Sequence, residues 1–330
     1  MADHDIHIVI AQLNFTVGDI ENNTKKIIEA IKKVNDDNNA DVIVFPELCV
    51  SSYPPEDLLL RPAFNKSINI AVEKIKAVTK NIHVILGYPL IQNENLYNVC
   101  SLIHDKKIKK TYYKQYLPNY SVFDEKRYFT SGNDLCTFEI KGVTAALTIC
   151  EDIWVEKPTA EAAAANAKIL FNINASPFDK NKKLERKNVI SKKASESGMF
   201  IVYVNLVGGQ DELIFDGNSM VFDKKGNIIF QAPEFEEGLY KTHIDIKNVE
   251  NKKELKNEKN LYSVEEKIIY KGLVLGVKDY VEKNNFQGVV VGLSGGIDSA
   301  LTLCIAVDAL GSKNVEALIM PSRYTSKMST

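Results

Sequence analysis

Ala145-Ala146-Leu147-Thr148-Ile149-Cys150-Glu151-Asp152 closes an apolar stretch that begins at Val143, and the stretch runs straight into a cysteine. Its length and composition predict a strand over 143–150, delivering Cys150 at the carboxyl end, where a sheet edge opens to solvent. Two segments upstream are built alike. Val42-Ile43-Val44-Phe45-Pro46-Glu47-Leu48 reads as a buried strand stopped by a proline, which has no N–H to extend the ladder, and it hands over Glu47. Tyr113-Lys114-Gln115-Tyr116-Leu117-Pro118-Asn119-Tyr120 sets one lysine among aromatics. Each signal alone is weak. Cysteine is among the most buried residue types, a glutamate after Phe-Pro can be a solvated loop residue, and Lys114 can belong to a lysine-rich surface.

Around these anchors, apolar runs of strand length alternate with helical patterns. Strands are predicted at 6–13, 41–45, 82–86, 143–150, 169–173 and 200–206, and helices at 22–34, 63–80, 156–168 and 182–197. The third helix opens with Pro158 and is rich in alanine. A hairpin pairs 220–223 with 228–231 across Lys224-Lys225-Gly226-Asn227. Strands mixed with hairpins do not make a pure βαβ series, so an open mixed sheet with its second face covered is expected in preference to a barrel. From 247 to 260 the chain is dense in Lys, Glu and Asn, the composition of a solvated linker. The expected division is therefore a first domain at 1–246, a linker at 247–262 and a second domain at 263–330.

Glutamate, lysine and cysteine together have a chemical purpose. Attack on an unactivated amide needs a thiolate, a base to take its proton, and positive charge where the oxyanion develops. Cys150, Glu47 and Lys114 supply the three, with the backbone N–H of Glu151 as a second oxyanion donor. A cation beside the cysteine is expected to lower its pKa.

Phe-Pro-Glu-Leu, Lys-x-x-Leu-Pro and Cys-Glu-Asp, in that order, resemble the three signatures of the nitrilase superfamily, over residues 1 to about 245. The resemblance implies a four-layer α-β-β-α sandwich with a Glu-Lys-Cys triad at Glu47, Lys114 and Cys150. Tyr53-Pro54-Pro55-Glu56-Asp57-Leu58 and the stretch 117–129 look like the glutaminase domain of the glutamine-dependent NAD synthetases. On that resemblance Tyr120, Ser176 and Lys182 hold glutamine. Ser176 and Lys182 both follow the predicted strand 169–173, where a hydroxyl and a cation can grip an amino acid's polar groups; a solvated Lys182 is the plain alternative. The family also has a glutamate at the position of Glu125, which implies a second carboxylate at the glutamine-binding site; a surface salt bridge with Lys126 or Arg127 is the competing explanation.

Past the linker, a helix (264–283), a strand (288–293), a glycine-rich turn, a helix (298–310) and a strand (315–319) read as the start of a parallel α/β domain. Gly292-Leu293-Ser294-Gly295-Gly296-Ile297-Asp298-Ser299 can turn successive backbone N–H groups inward beneath a helix N-terminus, a cradle for phosphate, with hydroxyls from Ser294 and Ser299. It is neither a Walker A loop nor a dinucleotide fingerprint. It resembles the Ser-Gly-Gly-x-Asp-Ser signature of ATP pyrophosphatases, and Met320-Pro321-Ser322-Arg323-Tyr324 looks like the segment after the second strand of NAD synthetases. The resemblance implies ATP as co-substrate, bound by residues 292–299, and Mg2+ partnered by Asp298. Ammonia from glutamine would amidate an adenylated carboxylate, that of nicotinic acid adenine dinucleotide, with release of AMP and pyrophosphate. Because the family continues well past 330 residues, glutamine hydrolysis without a full ligase is the expectation for this chain. A stand-alone amidase or carbamoylase, another glutamine-fed adenylating ligase, and a silent nitrilase-like module remain as alternatives.

Composition bounds the rest. Of 330 residues, 45% are hydrophobic and 25% charged, enough to bury a sizeable core, and a length beyond one ordinary core favours two units. Lys plus Arg (41) nearly balance Asp plus Glu (43), so no global field draws in nucleic acid or a membrane surface. Five scattered cysteines without CxxC or zinc spacing, an acidic N-terminus and no apolar run of bilayer length point to the cytoplasm. Sequestered ammonia transfer makes an oligomer of identical chains the expectation. The five histidines have no ligand-like spacing.

Overall fold

The computed structural model describes residues 5–37, 39–247 and 264–321. In chain order the first elements are β1 (Asp5–Gln12), α1 (Ile20–Asp37), β2 (Val42–Val44), α2 (Pro62–Val78), β3 (His83–Gln92), β4 (Asn95–His104) and β5 (Lys107–Tyr113). There follow β6 (Thr137–Ile140), β7 (Val143–Ile149), α3 (Glu156–Ala164), β8 (Ile169–Asn174), α4 (Lys182–Ser197) and β9 (Phe200–Asn205). Then come β10 (Val207–Gln210), β11 (Leu213–Asp216), β12 (Met220–Phe222), β13 (Ile228–Gln231) and β14 (Gly238–Asp245). Last are α5 (Val264–Lys283), β15 (Val289–Gly292), α6 (Ile297–Leu310) and β16 (Val315–Leu318).

Two six-stranded mixed sheets, ordered β14-β1-β2-β3-β4-β5 and β13-β12-β9-β8-β7-β6, build the first unit. Alternation decides which side chains meet between them. Ile6, Ile8 and Ile10 of β1, with Val42 and Val44 of β2, point into one cluster with Ala145, Leu147 and Ile149 of β7 and Ile169, Phe171 and Ile173 of β8. The opposite face of the second sheet, Ala146, Leu170, Ile201 and Phe222, packs with Ala162 of α3 and Ile190 and Ala194 of α4. On the other side α1 packs against α2, and α2 against β3. The result is an α-β-β-α sandwich, and each fully buried aliphatic side chain in its core contributes roughly 1.5–3 kcal/mol.

Sequence periodicity located α4 to the residue and the other first-unit helices within a few positions. It overlooked β4, β5, β6, β10, β11 and β14. It also carried the cysteine strand one residue too far, since Cys150 itself opens a short 3-10 turn, Cys150–Ile153.

The chain divides into two units, one of residues 1–207 with 215–258 and one of 208–214 with 259–330. In the second, β15 and β16 run parallel, with α6 packed on both, and α5 against α6. There Gly209 N–H donates to Asp279 Oδ2 at 2.6 Å, and Lys283 Nζ donates to Gly209 O at 2.8 Å. The linker expected at 247–262 lies outside the described residues apart from Lys247, as do residues 322–324.

Candidate active site

Three chain reversals bring the site together at the carboxyl ends of β2, β5 and β7. After β2 the chain crosses tightly over Gly87 of β3, where a Cβ would stand 2.7 Å from both Leu48 N and Pro46 O, so only glycine lets the Glu47 turn come so close. Leu48 takes a left-handed backbone there (φ 49°). Lys114 is the first residue beyond β5, and Gly132 lies against that strand end, where a Cβ would come 2.4 Å from Tyr113 O. Cys150 follows β7 with φ 43°, a conformation costly for a side chain other than glycine and held by its surroundings.

Glu47 and Lys114 are buried almost completely. Lys114 Nζ donates to Glu47 Oε1 at 2.6 Å and to Glu125 Oε1 at 2.8 Å, so one ammonium lies between two carboxylates. Glu47 also accepts Asn98 Nδ2 at 2.7 Å and the Ala175 N–H at 2.9 Å. Glu125 accepts the Tyr53 hydroxyl at 3.0 Å, and its Oε2 has no hydrogen-bond partner among the described residues. The surface pairing with Lys126 or Arg127 considered for Glu125 is therefore not what forms; Arg127 pairs instead with Asp57.

Electrostatics follow from burial. Lys114 is desolvated, but Glu125 and Glu47 outweigh that cost and hold its ammonium well above the usual lysine range. Burial raises Glu125 to about 7, with Lys114 opposing and Glu47 adding. The Cys150 thiol, 6% exposed, is pushed well above its usual range by burial and then by Glu47, more than Lys114 pulls it down. Lys114 does lower it, as expected of a neighbouring cation, but one ammonium shared by two carboxylates does not offset burial and Glu47, so the net shift is upward. The resting cysteine is a thiol, and its proton must leave as it attacks.

The three residues expected to hold glutamine line up beside this group. Tyr120, half exposed, donates its hydroxyl to Glu151 Oε2 at 2.9 Å and packs edge-on against Phe123. Lys182, first residue of α4, places Nζ 5.7 Å from the Phe123 ring centre. Ser176 is buried on the loop after β8, and its hydroxyl accepts Arg186 Nη2 at 3.2 Å. Arg186 is in turn fixed by Asp216, both of whose carboxylate oxygens lie 3.0 Å from Nη1.

Asn98, Arg186 and Asp216 were not singled out from sequence, and Tyr53 and Asp152 stood within quoted motifs without a role of their own. The one local cue was polarity inside apolar runs, as at Asn98 within β4. In the second unit, the loop 292–299 closes on itself. Ser294 N–H donates to Ser299 Oγ at 3.2 Å, the two hydroxyls are 3.1 Å apart, and Ser299 Oγ donates to Gly296 O at 3.0 Å. Gly295 takes φ 83°, and Asp298 stands exposed in the first turn of α6. Among the described residues no three His, Cys, Asp or Glu side chains gather to hold a metal, and no helix is long and apolar enough to cross a membrane.

Comparison with known proteins agrees with this fold. The carbon-nitrogen hydrolase family matches residues 8–254 and the NAD synthase family residues 269–330. A glutamine-dependent NAD(+) synthetase of Xylella fastidiosa (strain Temecula1) is 41% identical over 98% of this chain, which spans 60% of that protein. A solved glutamine-dependent NAD+ synthetase from Acinetobacter baumannii, in complex with ADP, is 41% identical with a TM-score of 0.91, over 98% of this chain and 61% of its own. An amidase from Nesterenkonia sp., 21% identical, superposes with a TM-score of 0.67 over 74% of this chain and 92% of its own, a likeness of fold.

Proposed function

Because the chain belongs to the carbon-nitrogen hydrolase family, we propose that its first unit hydrolyses glutamine at Cys150 and that the ammonia serves an ATP-dependent amidation by the second. Lys114 gripped between Glu47 and Glu125, with Cys150 opening the turn directly after β7, is the observation that carries this reading.

In the mechanism the Cys150 sulfur attacks the side-chain amide carbon while Glu47 accepts the thiol proton. Lys114 and the Glu151 N–H meet the developing oxyanion. Glu47 then gives its proton to the departing ammonia, leaving a thioester. Water, deprotonated by Glu47, attacks the thioester, and glutamate leaves as the sulfur takes back a proton. Tyr120, Ser176 and Lys182 bind the amino acid, and Glu125 fixes Lys114.

In the second unit Gly292 to Ser299 bind the phosphates of ATP. Asp298, a single exposed carboxylate, suits a Mg2+ ion carried by the nucleotide, whose role is to neutralise phosphate charge. The acceptor is the carboxylate of nicotinic acid adenine dinucleotide and the whole protein's product is NAD. We place the domains at 1–246 and 263–330, with a linker between, in a cytoplasmic oligomer of identical chains.

The test is peptide mapping after a glutamine-mimicking electrophile, because Cys304 is exposed and can react as well. An adduct at Cys150 and loss of glutamate release in Cys150→Ala are expected; glutamate release surviving that substitution refutes the proposal. A stand-alone amidase would leave residues 292–299 unperturbed by ATP and Mg2+.

A further inference from the structure

Asp152 is fully buried, and the mechanism above does not use it. Its Oδ2 accepts the Ile149 N–H at 3.0 Å and the Tyr112 hydroxyl at 2.8 Å. Its Oδ1 accepts the N–H of Tyr116 at 2.9 Å and of Gln115 at 3.2 Å. All four donors adjoin the two residues whose separation the chemistry depends on. Ile149 precedes Cys150; Tyr112 precedes Lys114 by two residues, and Gln115 and Tyr116 follow it.

We propose that Asp152 is a positioning residue that ties the Cys150 turn to the Lys114 segment, setting the distance between nucleophile and ammonium; this rests on the glutamine-hydrolysing reading. Three features support it. Lys114 is otherwise held by its N–H to Asn98 O of β4, by the Gly132 N–H donated to its own carbonyl, and by its ammonium to the two glutamates. Nothing in those bonds fixes it to β7, which lies in the other sheet. Cys150 occupies a left-handed backbone (φ 43°), and the Asp152 carboxylate caps the strand residue before it, so the strained turn cannot relax without breaking that bond. Finally, a carboxylate accepting four donors in a dry site is stronger and more directional than a neutral acceptor.

A buried carboxylate is costly, and burial raises Asp152 to about 6, against the Ile149 and Tyr116 N–H groups, Lys114 and the Tyr112 hydroxyl. A residue needed only for packing could be apolar at less cost.

The experiment compares Asp152→Asn with the parent chain in steady-state glutamate release and in the alkylation rate of Cys150 at pH 8, in a Cys304→Ser background. An asparagine keeps the volume but turns an NH2 toward one pair of donors. The expected result is a fall in kcat of about 100-fold with KM within about twofold, as a displacement near 1 Å produces, and an altered alkylation rate in protein that still melts cooperatively. A folded variant with kcat and alkylation rate within twofold of the parent overturns the proposal. If Asp152→Asn does not fold, Tyr112→Phe decides: it removes one donor and keeps the ring, and kcat should fall about three- to tenfold, in line with one lost hydrogen bond. An unchanged kcat there overturns the clamp. Alkylation needs no glutamine, so it separates failure of this proposal from failure of the substrate assignment.

Discussion

Replacing Glu125 with glutamine removes a carboxylate from a buried ion pair, yet it should favour the fold at pH 8 relative to pH 5. Burial lifts Glu125 from 4.5 to about 7 in the fold, so ionising it there is harder than in the unfolded chain. That gap corresponds to roughly 3 kcal/mol at about 1.4 kcal/mol per pH unit. Because the folded value lies above the unfolded one, the contribution is fully present below about pH 4.5 and is lost as pH rises through about 7. The glutamine variant has no such loss. It keeps an oxygen for Lys114 and the Tyr53 hydroxyl, but sets an amide NH2 where Glu125 Oε2 has no partner, at a cost of about 1–3 kcal/mol. The variant is then the less stable protein at pH 5 and equal or better at pH 8, a swing of roughly 3 kcal/mol. Urea unfolding followed by Trp154, the one tryptophan and a member of the first unit, measures it. Asp152, raised to about 6, titrates in both proteins and cancels. A difference between the two proteins that stays constant within about 1 kcal/mol from pH 5 to 8, or shifts the other way, would refute the reasoning. Activity should fall at the same time, since Lys114 exchanges a charged carboxylate anchor for a neutral amide oxygen.

Alkylation at Cys150 in the free protein should keep rising with pH from 7 to 10, because burial and Glu47 hold the thiol protonated; a plateau already reached at pH 7, read by peptide mapping, would contradict that. Ser176→Ala should raise KM for glutamine about tenfold with kcat little changed, as loss of one hydrogen bond common to ground and transition states would do. Arg186→Met leaves the buried Asp216 without its cation, so it should cost about 3–5 kcal/mol. In calorimetry the first unit's Tm should then fall by roughly 6–20 °C, and adding Asp216→Leu should recover part of it.

The grouping of Glu47, Lys114 and Cys150 that we propose as the triad was legible because each member announces itself locally, at the end of an apolar run or beside a proline, and spacing arguments see that far. The residues that hold the triad are set by pairing between distant segments. Asn98 reaches Glu47 across 51 positions, and Asp152 takes its Lys114-side donors from 36 to 40 positions away. Such partners follow from register, which one sequence does not display. β5 escaped notice for another reason. It is a lysine-rich edge strand whose first four residues are exposed, so it lacks the alternation that marks a half-buried strand, and its lysines discourage further pairing. β3 runs through Pro89, which ordinarily argues against a strand.

The sign of the cysteine's shift was the least accessible property of all. From residue types alone a lysine beside a cysteine means an easier thiolate, and that holds where the lysine's charge is free. Here the charge is divided between Glu47 and Glu125, and a site that buries all four groups penalises every added anion. A thiolate, an ionised Glu47 and an ionised Glu125 around one ammonium would leave a net charge of minus two in a dry cavity. The proton on Cys150 therefore stays until a substrate carbonyl arrives to take up the sulfur's electrons, with Glu47 as its receiver. On this reading the same crowding that makes Cys150 a poor thiolate at rest couples its ionisation to attack.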